Sequence, residues 1–147
     1  MNTSPIAQRA ARARPMQIPA SVQTLAERST PVEIRLDIQK LLAQDQMDLA
    51  QALGDAGLAL HPQSEDMVAI CALLAMARSD WTEAIELLQH LQVIQGDNTP
   101  ATTYWLLARC QRCLDMVEAC EVTLEQGLAR FPQSAELQAE FSLLIKA

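Results

Sequence analysis

Residues 101–134 read ATTYWLLARCQRCLDMVEACEVTLEQGLARFPQS. Tyr104, Leu107, Ala108 and Gln111 recur at three- and four-residue spacing, the signature of one buried helix face. Leu114-Asp115 interrupts it, and Val117, Cys120, Leu124 and Gly127 start a second stripe of the same period. Phe131-Pro132-Gln133-Ser134 then stops the second helix. The unit is therefore a helical hairpin.

Moving outward, the unit repeats. Ala50, Ala84 and Cys120 hold one slot. Gly54, Leu88 and Leu124 follow four residues later, then Gly57, Leu91 and Gly127 after three more. Pro62, Gly96 and Pro132 punctuate each end. The first interval is 34 residues and the second 36, so two residues are inserted near positions 97–100. A fixed period in this range marks stacked supersecondary units. Small residues at the slots allow helices to approach closely, and Ala50, Gly57, Ala72, Ala84, Ala108, Cys120, Gly127 and Ser142 are the expected crossings.

The local punctuation agrees. Pro31 suits a first helical turn. Ser64, followed by Glu65 and Asp66, reads as an N-cap with an acidic first turn. Thr99-Pro100 reads as a cap and first-turn pair, and a last helix over Ala135–Lys146 ends the array. Half of the chain is hydrophobic but only 3% is aromatic, so its core is built from Leu, Ala, Val, Ile and Met. The fold class expected is all-α.

The net charge of -7 is unevenly spread. Residues 1–30 carry Arg9, Arg12, Arg14 and Arg28 against Glu27 alone, while residues 31–147 carry 7 basic and 17 acidic groups. Residues 1–30, with Pro5, Pro15 and Pro19, are expected to form a disordered basic tail, with a short helix over residues 6–14. The same Arg-rich, acid-poor composition is that of organelle transit peptides. The acidic body excludes nucleic acid as an expected partner. No apolar run reaches membrane-spanning length, so no membrane insertion is expected. With no secretory signal and four cysteines, the chain is expected to be cytoplasmic with reduced thiols.

Residues 31–147 resemble the tetratricopeptide repeat. The likeness rests on Tyr104-x-x-Leu107-Ala108-x-x-Gln111 with Cys120, Leu124, Gly127 and Pro132, and on Ser79-Asp80-Trp81-x-x-Ala84-x-x-x-Leu88. Gly96 stands where that family usually has proline, and Gln111 where an aromatic is usual. The resemblance implies a right-handed α-solenoid of about three helix pairs plus a C-terminal capping helix. It also implies a concave groove lined by the first helices: Arg35 and Gln39, then Ala69, Leu73 and Met76, then Trp105, Arg109 and Arg112, with Leu143 extending the row. The Lys/Asn clamp by which some co-chaperones of this family hold a terminal carboxylate is largely missing, because its slots carry Arg35, Gln39, Leu73 and Ala69. In size and groove character the chain is similar to the small chaperones of bacterial type III secretion.

Trp105, Arg109 and Arg112 share a face apart from the buried stripe, and an aromatic beside arginines is the mix enriched at binding hot spots. The expected partner is a protein or peptide with apolar anchors and acidic flanks. The competing reading packs Trp105 against its neighbour and pairs the arginines with carboxylates. Self-association through Leu137, Phe141 and Leu144 of the last helix is a further expectation.

Catalysis is not expected. Cys110-x-x-Cys113 lacks the second ligand pair that a zinc site needs, and it lies on a helix rather than in a strand–helix redox context. His61 and His90 have no catalytic partner, and no phosphate loop or nucleophile elbow occurs. No cofactor or metal is called for. The function expected is a non-catalytic adaptor or chaperone. The alternative is a structural subunit of a larger assembly, binding through its tail, its convex face or its end helix.

Overall fold

The computed structural model describes residues 18–146, which form α-helices, one 3-10 turn and no strand. The expected disorder of residues 1–17 and the short helix over residues 6–14 lie outside the described residues. The helices are α1 (Ala20–Arg28), α2 (Pro31–Ala43), α3 (Met47–Leu60), α4 (Glu65–Ala77), α5 (Trp81–Gln95), α6 (Ala101–Cys113), α7 (Val117–Arg130) and α8 (Ala135–Lys146).

α1 corrects the tail boundary, since it occupies the end of the stretch expected to be disordered. Its cause is an apolar stripe at four-residue spacing: Ile18, Val22 and Ala26 pack against the core, with Ala26 wholly buried. α1 lies on α3.

The remaining helices pair as α2–α3, α4–α5 and α6–α7, with α8 following. The turn inside each pair is the same structure three times. Asp45, Ser79 and Asp115 take left-handed φ of 58°, 60° and 55°. The next residue donates its N–H five residues back: Gln46 to the Leu41 carbonyl (2.8 Å), Asp80 to Ala75 (2.9 Å) and Met116 to Gln111 (2.9 Å). These are Schellman caps, which satisfy the last carbonyls of each first helix. The turns between pairs also match. His61 and Phe131 close α3 and α7 with the same dihedral angles, and Ser64 and Ser134 accept from the N–H groups of Met67 and Leu137. The central turn differs because it holds the insertion. Gly96 (φ 54°) opens a 3-10 turn over Gly96–Asn98, and Thr99 turns its hydroxyl back to the Gly96 carbonyl. Pro100 therefore stands at the N-cap position of α6, one place earlier than expected, and Thr99 is not the cap.

The glycine slots set how closely the helices approach. A Cβ on Gly57 would meet Met67 Cε at 2.5 Å and Ile34 Cγ2 at 3.1 Å. One on Gly127, the matching slot of the third pair, would meet Tyr104 Cβ at 2.9 Å and Leu137 Cδ1 at 3.1 Å. Each glycine thus sits between the first helix of its own pair and the first helix of the next. In the second pair the slot holds Leu91, and two residues are inserted just after it. There the first helices separate: α2 packs on α4 and α6 packs on α8, but α4 and α6 have no comparable contact among the described residues. The core divides at the same place. One cluster runs from Ala26 to Leu91 and takes in Leu107 and Cys110, and the other gathers Tyr104, Ala108, Cys120, Leu124 and Leu137. Two expected interior positions and one expected surface position are corrected. Ser142, expected at a helix crossing, is exposed, as is Val117, and Leu137, expected on a self-associating surface, is wholly buried.

Candidate functional site

The first helices carry the expected site residues in three register rows. Gln39, Leu73, Arg109 and Leu143 occupy one position in α2, α4, α6 and α8, and all four are exposed, Leu73 at 44% and Leu143 at 50%. Arg35, Ala69 and Trp105 share a second position, and Met76 and Arg112 a third, and all five are half-buried. Ala69 and Met76 lean on the larger core cluster and Trp105 on the smaller one.

Two of the three arginines are already engaged. Arg35 Nε lies 2.9 Å from Asp66 Oδ1, without its N–H aimed at that oxygen, so this pair is ionic rather than hydrogen-bonded. Arg112 Nε donates to Glu140 Oε2 at 3.0 Å, and Glu140 is buried. That carboxylate pushes the Arg112 guanidinium up from its ordinary pKa. Each pair joins one first helix to the next, α2 to α4 and α6 to α8. Arg109 differs. Its guanidinium stands 5.7 Å from the centre of the Trp105 ring, and no carboxylate among the described residues pairs with it. The arrangement on α6 and α8 is therefore a cation held over an indole, with exposed Leu143 on the adjacent helix.

Reading the residues alone missed the two carboxylates, Asp66 and Glu140. Glu140 left a signal. It stands at the register position of Ile70, which is buried, so a charge there called for a partner one helix back.

Elsewhere polar groups serve packing. Arg78, just past α4, hydrogen bonds to Gln51 of α3 and Glu83 of α5 and so ties the first two pairs together. Thr123 donates to Gln111 at 2.7 Å inside the third pair. The thiols of Cys71 and Cys120 donate to the carbonyls of Gly54 and Ala108. Burial pushes the Cys110 thiol up to about 12 and raises that of Cys120, whereas Cys113 is exposed. Among the described residues no group of three His, Cys, Asp or Glu side chains gathers, and no helix is long and apolar enough to cross a membrane.

A scan of protein-family models and a search of curated proteins find no match to the chain.

Proposed function

We propose that this chain is a non-catalytic protein-binding module, an adaptor or chaperone with the right-handed tetratricopeptide-like architecture. It holds a partner peptide or helix along its first helices. The architectural part is supported by the three equivalent Schellman turns, the two equivalent Pro-Gln-Ser turns and the glycine slots between successive first helices. The single observation behind the binding part is the exposed row Gln39, Leu73, Arg109 and Leu143, in which Arg109 is stacked on Trp105 and free of any described carboxylate.

On this reading Leu73 and Leu143 take the partner's apolar anchors, and the Trp105–Arg109 pair takes an acidic side chain between them. Arg35 and Arg112 have their charges occupied by Asp66 and Glu140, so they shape the groove and do not select the partner. A cytoplasmic setting goes with this reading, supported by four cysteines of which none is in a disulfide. A role in bacterial type III secretion is the narrower form of the proposal.

The test is affinity capture from the native host's lysate, wild type against the Trp105→Ala, Arg109→Glu double variant, with partners identified by mass spectrometry. The expected result is a partner lost only in the variant; because Trp105 leans on the smaller core, Arg109→Glu alone, at an exposed position, is the control that should keep the wild-type melting temperature and lose the same partner. A partner retained by both chains would overturn the groove and favour the assembly-subunit reading.

A further inference from the structure

The repeat geometry shows which side of a first helix its predecessor covers. Asp66 of α4 reaches Arg35 of α2, and Glu140 of α8 reaches Arg112 of α6, so these register positions face the helix before. Ile70, at the position of Glu140 two first helices back in the stack, is buried there as well. The same two positions in α2 are Val32 and Leu36. Both are 45% exposed, because α1 packs on α3 instead of continuing the row. α2 thus presents an apolar strip of Val32, Leu36 and exposed Ala43 on one helical face, at a place where α4 and α8 each have the preceding first helix as a neighbour.

The charges beside that strip select the occupant. Glu33 and Lys40 flank it on one side, seven residues or about 10 Å apart along the helix. An antiparallel copy of the same helix, related by a two-fold axis between residues 36 and 37, brings each Glu33 beside the other copy's Lys40 and each Leu36 beside its own mate. Such a face is self-complementary, as an isologous contact requires. Residues 1–17 match it less well, because they carry three arginines and no acid to answer Lys40.

The geometry points to an antiparallel homodimer formed by the α2 faces of two copies, with Leu36 at its centre, Val32 farther out along the same face and two Glu33–Lys40 pairs beside them. A contact of one helix face is small, so the dimer is a weak one that forms with rising concentration.

The experiment is sedimentation velocity on the full chain across a wide concentration series. The expected result is a shift from monomer to dimer mass, abolished by Leu36→Glu with circular dichroism unchanged. Lys40→Glu alone and Glu33→Lys alone should each weaken the dimer by like-charge contact. An equimolar mixture of those two chains should restore it as a heterodimer. A wild-type monomer at every concentration would overturn the proposal and leave the strip to residues 1–17 or to another protein. A dimer that survives Leu36→Glu would also overturn it, by moving the contact to another surface such as exposed Ile145 of α8.

Discussion

Substituting alanine for glycine inside a helix normally stabilises it, by about 1 kcal/mol of propensity. At Gly127 the sign should reverse. The added Cβ would lie 2.9 Å from Tyr104 Cβ and 3.1 Å from both Tyr104 Cγ and Leu137 Cδ1. Tyr104 Cβ is fixed to its own backbone, and its ring is braced by Phe131 at a centroid distance of 6.4 Å, so relief requires α6 itself to move. Overpacking of a tight core costs about 1–3 kcal/mol, and a rigid neighbour puts this site near the upper end. The net expectation for Gly127→Ala is a loss of about 1–2 kcal/mol. Gly57 is the matched control. Its nearest contacts are Met67 Cε at 2.5 Å and Sδ at 3.0 Å, the far end of a flexible side chain that can rotate aside, with Ile34 Cγ2 at 3.1 Å. There the clash and the propensity gain should cancel to within about 0.5 kcal/mol. Urea unfolding followed by far-ultraviolet circular dichroism measures both, read as a change in midpoint at constant slope. Equal effects at the two sites, or a stabilised Gly127→Ala, would refute the claim that the third pair closes on a rigid aromatic.

Two other outcomes follow from the turns and thiols. Glycine at Asp45, Ser79 or Asp115 should stabilise the fold at each site by up to about 1 kcal/mol of relieved left-handed strain, seen as a raised melting temperature and most at Ser79 because aspartate tolerates that conformation better; a fall at any of them would show that the side chain itself holds the turn. In the native chain at mildly alkaline pH a disulfide reagent should titrate Cys113 at once and Cys71, Cys110 and Cys120 only after unfolding. Because the Cys110 pKa is raised in the folded state, its contribution to stability is present below pH 9.0 and is lost as pH climbs through about 12. A Cys110→Ala chain should lack that alkaline limb in its unfolding profile.

The pairing of helices was readable because its determinants are local. Ser64 and Ser134 cap the helices that follow them, and Gly57 and Gly127 mark close approach by their cost to helix propensity. α1 escaped because it is short and begins after Pro19 without a side-chain cap, so only the spacing of Ile18, Val22 and Ala26 announces it. The Arg35–Asp66 and Arg112–Glu140 pairs join residues about one repeat apart, and their existence depends on which faces the stack turns toward each other. Spacing set Arg109 and Arg112 together on one face with Trp105. Packing separates them, leaving Arg109 without a described carboxylate. The inserted residues at 97–100 were visible as a change of period, but their effect was not, since it depends on Leu91 filling a slot that is glycine on either side.

The gap between α4 and α6 bears on cooperativity. Arrays of repeats hold together through nearest-neighbour interfaces, and an array with one thin interface unfolds in sections. Here the bond across the gap is carried by α5 against α6, with Leu107 and Cys110 reaching back into the larger core. α5 against α6 is thus the interface whose loss would let the segment after Gly96 open while the segment before it stays shut. The angle between Leu73 on one side and Arg109 with Leu143 on the other then becomes adjustable, so that a partner held across the gap would set the curvature of the protein that holds it.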